Sequence, residues 1–204
     1  MKKLFVIAAM MVAAVAANAQ ITLKPMAGLT IATLTDMEDN SFRPGLAAGA
    51  EAEYLVNDMF GVSGGLLVSM QGTNYDDYSV TVGGVTNGWK DWSTTLTYLN
   101  IPLLANVHVA KGFAIKAGVQ PGILLSAKTK QTEIVNNAEN DWDRSSTDGL
   151  KKLDISIPLG VSYEISDFVI DARYNLGLTK INENGSNSSK NSVIMVTLGY
   201  KFAL

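Results

Sequence analysis

Ser63 lies in Gly61-Val62-Ser63-Gly64-Gly65, a G-x-S-x-G match, and the chain carries one histidine, His108. A serine nucleophile needs an imidazole to take its proton and a carboxylate to orient that imidazole. Glu53 is the carboxylate whose strand parity would bring it to the same place. The nucleophile elbow, however, requires a sharp strand-to-helix turn, and residues 66–70 simply continue an extended pattern. The preferred reading is polar filling, with a hydrolase as the lesser alternative. Asp141-Trp142-Asp143-Arg144-Ser145 opens like a calcium loop, but Ser146 holds the position that needs glycine and Lys152 the one that needs a bidentate glutamate. Solvated charge is the better account. Asp36, Glu38, Asp39, Asp76 and Asp77 offer carboxylates for divalent cations bridging surface lipids. With no cysteine, thiol catalysis, thiolate zinc and disulfides are excluded. No catalytic, cofactor-binding or metal-binding residue is expected.

These side chains are placed by the elements around them. Of 204 residues 47% are apolar and only 17% charged, too apolar for disorder, and a formal charge of -3 offers nothing to nucleic acid. Residues 1–19 begin with Lys2 and Lys3, run apolar from Leu4 to Ala17 and end Ala17-Asn18-Ala19. That is the pattern of a cleaved secretory signal peptide, too short to span hydrocarbon as a helix. Export through the Sec pathway is expected, with residues 20–204 as the mature domain.

From Leu153 the residues Leu153, Ile155, Ile157, Leu159, Val161 and Tyr163 alternate with Asp154, Ser156, Pro158, Gly160 and Ser162. A period of two is a strand with one apolar face. The same alternation recurs near 22–34, 44–56, 60–72, 94–109, 113–127, 168–179 and 194–202, eight segments in all. Tight connections at 57–59, 110–112 and 165–167 alternate with long polar ones at 35–43, 73–93, 128–150 and 180–190. Strands of ten or more residues with alternating short and long connections predict an all-β fold, an eight-stranded antiparallel up-and-down transmembrane β-barrel of the outer membrane. Pro102, Pro121 and Pro158 fall inside these strands, where bulges are expected.

Parity then assigns the faces. Tyr54, Phe60, Phe113, Tyr163, Phe168 and Phe202 point outward beside the tight turns, as a periplasmic aromatic girdle meeting outer-membrane lipid. Lys24, Glu51, Glu53, Lys116, Lys152, Asp154, Asp171, Arg173 and Lys201 point inward, near balance in sign. Eight strands enclose little more than side chains, so a plug of paired charges, not a pore, is expected, with inward glycines such as Gly65, Gly160 and Gly199 leaving room. His108 falls at the turn end, away from an outer leaflet on which a lipid-modifying enzyme would act. Tyr75, Tyr78, Trp89, Trp92 and Trp142 lie in or beside the long loops and suit recognition of an extracellular partner. Asn184-Gly185-Ser186 and Asn187-Ser188-Ser189 mark a flexible loop.

Tyr98-Leu99-Asn100-Ile101-Pro102-Leu103-Leu104 resembles a segment of the PorT-like outer-membrane β-barrel proteins of Bacteroidota, and Leu198-Gly199-Tyr200-Lys201-Phe202 is similar to the terminal insertion signal read by the barrel-assembly machinery. The resemblance implies the barrel fold over the mature chain, with Leu198, Tyr200 and Phe202 as the signal. It also implies, as an alternative to a structural or surface role, an accessory part in protein secretion through the type IX pathway and a secretion-system partner.

Overall fold

The computed structural model describes residues 21–36, 40–183 and 188–204. The expected signal peptide lies outside the described residues, as do Glu38, Asp39, Asn184 and Asn187.

Alternating apolar and polar or small residues, with no cysteine or helix-period run, give thirteen strands. They are β1 (Ile21–Leu34), β2 (Asn40–Ser41), β3 (Arg43–Leu55), β4 (Phe60–Tyr75), β5 (Tyr78–Val82), β6 (Val85–Asn100), β7 (Leu103–Ala110), β8 (Phe113–Val135), β9 (Ala138–Ser145), β10 (Leu153–Ile165), β11 (Phe168–Gly177), β12 (Asn191–Tyr200) and β13 (Phe202–Ala203). Eight staves form a ring: β1, β3, β4, β6 continued by β7, β8, β10, β11 and β12, every neighbouring pair antiparallel and β12 closing on β1. Closure removes the unpaired edges that hydrocarbon cannot solvate. Among the described residues no helix is long and apolar enough to cross a membrane. The outward positions instead form an apolar wall, with Leu29, Val62, Leu159, Ile170, Val196 and Leu198 all exposed. So continuous an apolar surface is a lipid-facing one.

Two sequence expectations are corrected here. Stretches 73–93 and 128–150 are strands for most of their length, not loops: β5, β6, β8 and β9 run beyond the ring as a four-stranded sheet in the order β5-β6-β8-β9. Its tips are two-residue turns at Gly83-Gly84 (φ 60° and 82°) and Asn136-Asn137 (φ 53° and 66°), the left-handed pairs that match strand twist. Neither face of this sheet is buried, so beyond the short Tyr78-Val80-Val82 alternation of β5 hydrophobic periodicity gives little sign of it.

The prolines produce no bulges. Leu67 opposes Asn100 and Gly64 opposes Leu103 in one unbroken register across Pro102. Ile155 opposes Pro121 and Leu159 opposes Ala117, again in step across Pro158. Pro102 and its neighbour only interrupt the strand; the Pro102 carbonyl still accepts from Gly65 N at 3.1 Å, and Ile101 N donates to the Pro121 carbonyl at 2.8 Å. The register shifts fall elsewhere, at Lys90/Ser93, Thr97/Tyr98 and His108/Ala110.

Candidate functional site

The interior is built from staves that each present every second residue to the axis. Arg173, on β11, is the hub: its Nη1 and Nη2 donate to Glu51 of β3, the latter to Oε2 at 2.7 Å, while Nε donates to Asp171 Oδ1 at 2.6 Å. Lys116 of β8 donates to Asp171 Oδ2 at 2.7 Å. Lys24 of β1 lies 3.2 Å from Glu51 Oε2 and 3.3 Å from Asp171 Oδ2. Three cations and two carboxylates from four staves thus share one centre, each relieving the desolvation of the others. All five are buried.

Space for them comes from glycines on neighbouring staves. A Cβ at Gly65, opposite Glu51, would come within 2.6 Å of the Glu51 Cγ; one at Gly160, opposite Arg173, within 2.8 Å of the Arg173 Cγ; one at Gly199 within 2.7 Å of the Lys24 Cγ. Beside the cluster the remaining cavity measures about 20 Å³, room for a single water.

The other charges expected in this network are elsewhere. Glu53 forms a second group toward the tight turns, accepting from Asn106 Nδ2 at 2.7 Å and bonded to His108 Nε2 at 3.0 Å. Lys201 pairs with Glu164 at 2.7 Å, a carboxylate that sequence reading left out although its parity is inward. Asp154 stands apart, buried, with Asn191 Nδ2 at 3.4 Å. Lys152 is a correction: it precedes β10 and is exposed, outside the interior altogether.

Ser63, Glu53 and His108 do converge. Asn106, however, donates to both Ser63 Oγ (3.1 Å) and Glu53, so the amide occupies the place between nucleophile and acid. His108 turns its Nε2 to Glu53, and among the described hydrogen bonds none joins it to Ser63. The arrangement holds polar groups together but gives the serine no base. The calcium-loop expectation meets a regular strand: Asp141 and Asp143 are on β9, opposite Thr132 and Lys130. Asp77 accepts from Asp91 N at 2.9 Å. Among the described residues no group of three acidic or histidine side chains is placed to hold a metal.

Nearer the loop end the interior turns apolar. Leu34, Leu96, Tyr98, Leu124, Ala127 and Ile181 pack together above the ion cluster. Tyr98 and Pro102 of the PorT-like segment are buried, and Asn100 Nδ2 donates to Ser69 Oγ at 2.8 Å. The girdle residues Tyr54, Phe60, Tyr163, Phe168 and Phe202 are exposed and Phe113 half-buried. Leu198, Tyr200 and Phe202 are also exposed, with the Tyr200 ring 4.7 Å from Phe202 and 5.2 Å from Phe168. Tyr75, at the end of β4, stacks on Trp92 of β6 at 4.4 Å, and within the projecting sheet Tyr78 stacks on its cross-strand partner Trp89 at 4.9 Å.

A closed ring of eight long staves, apolar outside and ion-paired inside, defines a small outer-membrane β-barrel protein. The chain belongs to the outer membrane protein beta-barrel domain family, whose model matches residues 17–183, and its place is the outer membrane. No curated protein matches it. Among solved structures it is similar to the attachment invasion locus protein Ail of Yersinia pestis (12% identity, TM-score 0.48, 89% of this chain and 98% of that one). It is also similar to Neisserial surface protein A (12%, 0.48, 90% and 97%) and to the N-terminal β-barrel domain of Pseudomonas aeruginosa OprF (14%, 0.34, 89% and 97%).

Proposed function

We propose that this barrel is a non-conducting, non-enzymatic display scaffold, which holds the β5-β6-β8-β9 sheet at the cell surface to recognise a protein partner. The tight turns then lie in the periplasm, the outward aromatics rest in lipid, and Leu198, Tyr200 and Phe202 serve the barrel-assembly machinery during biogenesis. The observation that carries the reading is an asymmetry between the two edges of the sheet. β9 guards its free edge with Glu139, Asp141, Asp143 and Arg144. β5 is Tyr-Ser-Val-Thr-Val, uncharged, exposed throughout and, among the described residues, paired only with β6. Exposed edges are normally blunted by charge, and one that is not is a template for an added strand. The Val82–Val85 pair closes the two-residue turn, so alternation turns the Ser79 and Thr81 N–H groups away from β6.

The test combines topology with edge blocking. Tags at 83–84 and 136–137 should be reached by antibody on intact cells, and those at 57–59 and 166–167 should not. Ser79→Pro, which removes an outward N–H, should abolish capture of the cell-surface partner while leaving heat-modifiable migration unchanged. Tags reachable only at the tight turns, or capture unaffected by Ser79→Pro, would refute the reading. An accessory part in secretion, which the PorT-like segment implies, makes a different demand: deletion would trap secreted proteins in the periplasm.

A further inference from the structure

β5 has the same chemical pattern in both directions about its central residue: Tyr78 and Val82 are apolar, Ser79 and Thr81 carry hydroxyls, and Val80 lies between. Alternation puts Tyr78, Val80 and Val82 on one face and Ser79 and Thr81 on the other, and all five are exposed. The Ser79 and Thr81 backbone groups point away from β6, as the hairpin register requires. A twofold axis through Val80 would therefore lay one β5 antiparallel on another, with Val80 opposite Val80, Ser79 opposite Thr81 and Tyr78 opposite Val82. Each apolar side chain then meets an apolar one and each hydroxyl a hydroxyl. The latter is the kind of pair that Thr81 Oγ1 already makes with Thr86 Oγ1, at 2.9 Å, within the hairpin. Each Ser79–Thr81 pair exchanges both of its N–H···O bonds.

Charge singles out this edge for self-pairing. On β9 the residues Glu139, Asp141 and Asp143 share one parity, so a symmetric antiparallel pair there would set acid against acid. β5 carries no charge. The flanking Asp77 falls opposite Gly83 of the second copy, the whole 77–83 stretch away from that copy's own Asp77. At ~3.3 Å per residue the two carboxylates stand about 20 Å apart, beyond a physiological screening length of about 8 Å.

Strand direction fixes where the second copy must be. β5 runs antiparallel to β6, and β6 is itself a stave of the ring. Copies in one membrane thus hold β5 in the same direction and cannot pair it antiparallel, whereas copies in two facing membranes hold it in opposite directions. We infer that the partner taken by β5 is a second copy of this chain on an opposing outer membrane, so that the barrel joins cells that carry it. This rests on the display reading above and names its partner. A contact five residues long is small beside a stable protein interface. Its strength comes from many copies facing one another across a single gap.

The experiment mixes two populations of bacteria that differ in fluorescent colour. Expressing cells should clump with one another and leave non-expressing cells outside the clumps. Val80→Lys, which brings two ammonium groups together on the dyad, should reduce clumping to the non-expressing level, and Val80→Asp should do the same. Mixed with each other, these two variant populations should clump again. Val80→Cys supplies the only thiol in a chain without cysteine. Opposed residues of a non-hydrogen-bonded pair have Cα atoms about 4.5 Å apart, within disulfide reach. Oxidation of clumped Val80→Cys cells should therefore yield a disulfide-linked dimer, and Val82→Cys, opposite Tyr78, should yield none. Heat-modifiable migration checks that each variant barrel is folded. Parent cells that do not clump, or that clump equally with non-expressing cells, would overturn the proposal, as would Lys and Asp populations that ignore each other. If Ser79→Pro abolishes capture of a different protein and parent cells never clump, the display reading stands and only the second copy falls. Tags reachable only at the tight turns would fell both.

Discussion

Arg173 and Glu51 meet across the barrel axis though 122 residues separate them, the guanidinium fork donating to both carboxylate oxygens. The pair ties β11 to β3, staves that are not neighbours in the ring. Ladder hydrogen bonds fix only adjacent staves, so contacts through the lumen, this cluster with the Glu53–Asn106 and Asp154–Asn191 pairs, brace the cylinder from within. A fork matched to a carboxylate also has a direction, which a lysine at the same position would lack.

Removal of that hub leaves Glu51 and Asp171 to Lys24 and Lys116 alone. Arg173→Met should therefore destabilise the barrel by about 3–5 kcal/mol, the usual consequence of breaking a buried ion pair from one side. Urea titration of the refolded protein in detergent, followed by heat-modifiable migration, measures it. The double variant Arg173→Met/Asp171→Asn, which also removes a carboxylate left short of partners, should recover part of the loss. A single variant as stable as the parent would show that the cluster does not brace the cylinder.

Glycine positions around the cluster make a separate prediction. Gly160→Val places new atoms against the Arg173 Cγ and the Ala172 carbonyl, both already within 2.8 Å of a Cβ there. Overpacking of this kind should cost about 1–3 kcal/mol. Gly64, where the nearest atom to a Cβ is the Leu103 Cδ2 at 3.4 Å, should accept Ala within about 0.5 kcal/mol. Equal midpoints in a thermal gel-shift series would contradict the assignment of Gly160 as space for Arg173.

Much of this arrangement was legible because a membrane barrel repeats one rule. Alternation over ten residues located Asp171 and Arg173 on the inner face and Ile170 and Tyr174 on the outer, and short against long connections ordered the staves. Alternation says nothing about height along the axis, so it could not separate Glu53 and Lys201 from the central five, nor foresee that Asn106 would intervene between Ser63 and Glu53. It also fails where both faces are wet: the Thr- and Lys-rich stretch from Lys128 to Thr132 reads as loop by hydrophobicity, although its partner β9 follows after a two-residue turn. Proline rules misled for a further reason. Pro102, Pro121 and Pro158 each lose a donor, but the ladder absorbs the gap without inserting a residue.

The Asn106 amide sets the expectation for catalysis. With Ser63 held by that amide and His108 committed to Glu53, an activated ester such as 4-nitrophenyl butyrate should turn over at the detergent blank rate. Ser63→Ala and His108→Ala should change nothing. Hydrolysis that is lost in both variants would revive the nucleophile reading.

On the projecting sheet, Lys90 donates to Glu139 at 2.7 Å, across the intervening β8. The hydrogen bond to the Glu139 carboxylate holds the Lys90 ammonium above the usual lysine range. A group raised on folding supports the folded form at every pH below its ordinary value and stops doing so as pH climbs through the raised one. NMR titration of the Lys90 side chain should show this upward displacement, and Glu139→Gln should return it to the ordinary range. Both groups are solvent-exposed, so salt should weaken the pairing.

Asn137 governs the sheet's tip more than any charge does. Its Oδ1 accepts from Thr86 N at 2.7 Å and its Nδ2 donates to the Gly84 carbonyl at 3.0 Å, binding one hairpin's turn to the other, while its own φ of 66° suits Asn better than most residues. Asn137→Ala loses both bonds and must adopt a left-handed backbone without local compensation, at a cost of about 1–3 kcal/mol. Because the turn stands outside the ring, the penalty falls on the sheet alone. Amide exchange at Thr86 and Asn136 should accelerate while exchange at Arg173 and its neighbours, and the unfolding midpoint of the barrel, stay where they were. Gly at 137 should relieve the backbone cost yet leave exchange at Thr86 fast, which separates the conformational contribution from that of the side chain. If exchange throughout the barrel rises with that of the tip, the sheet and the ring unfold as one unit and the projecting strands are not an independent platform.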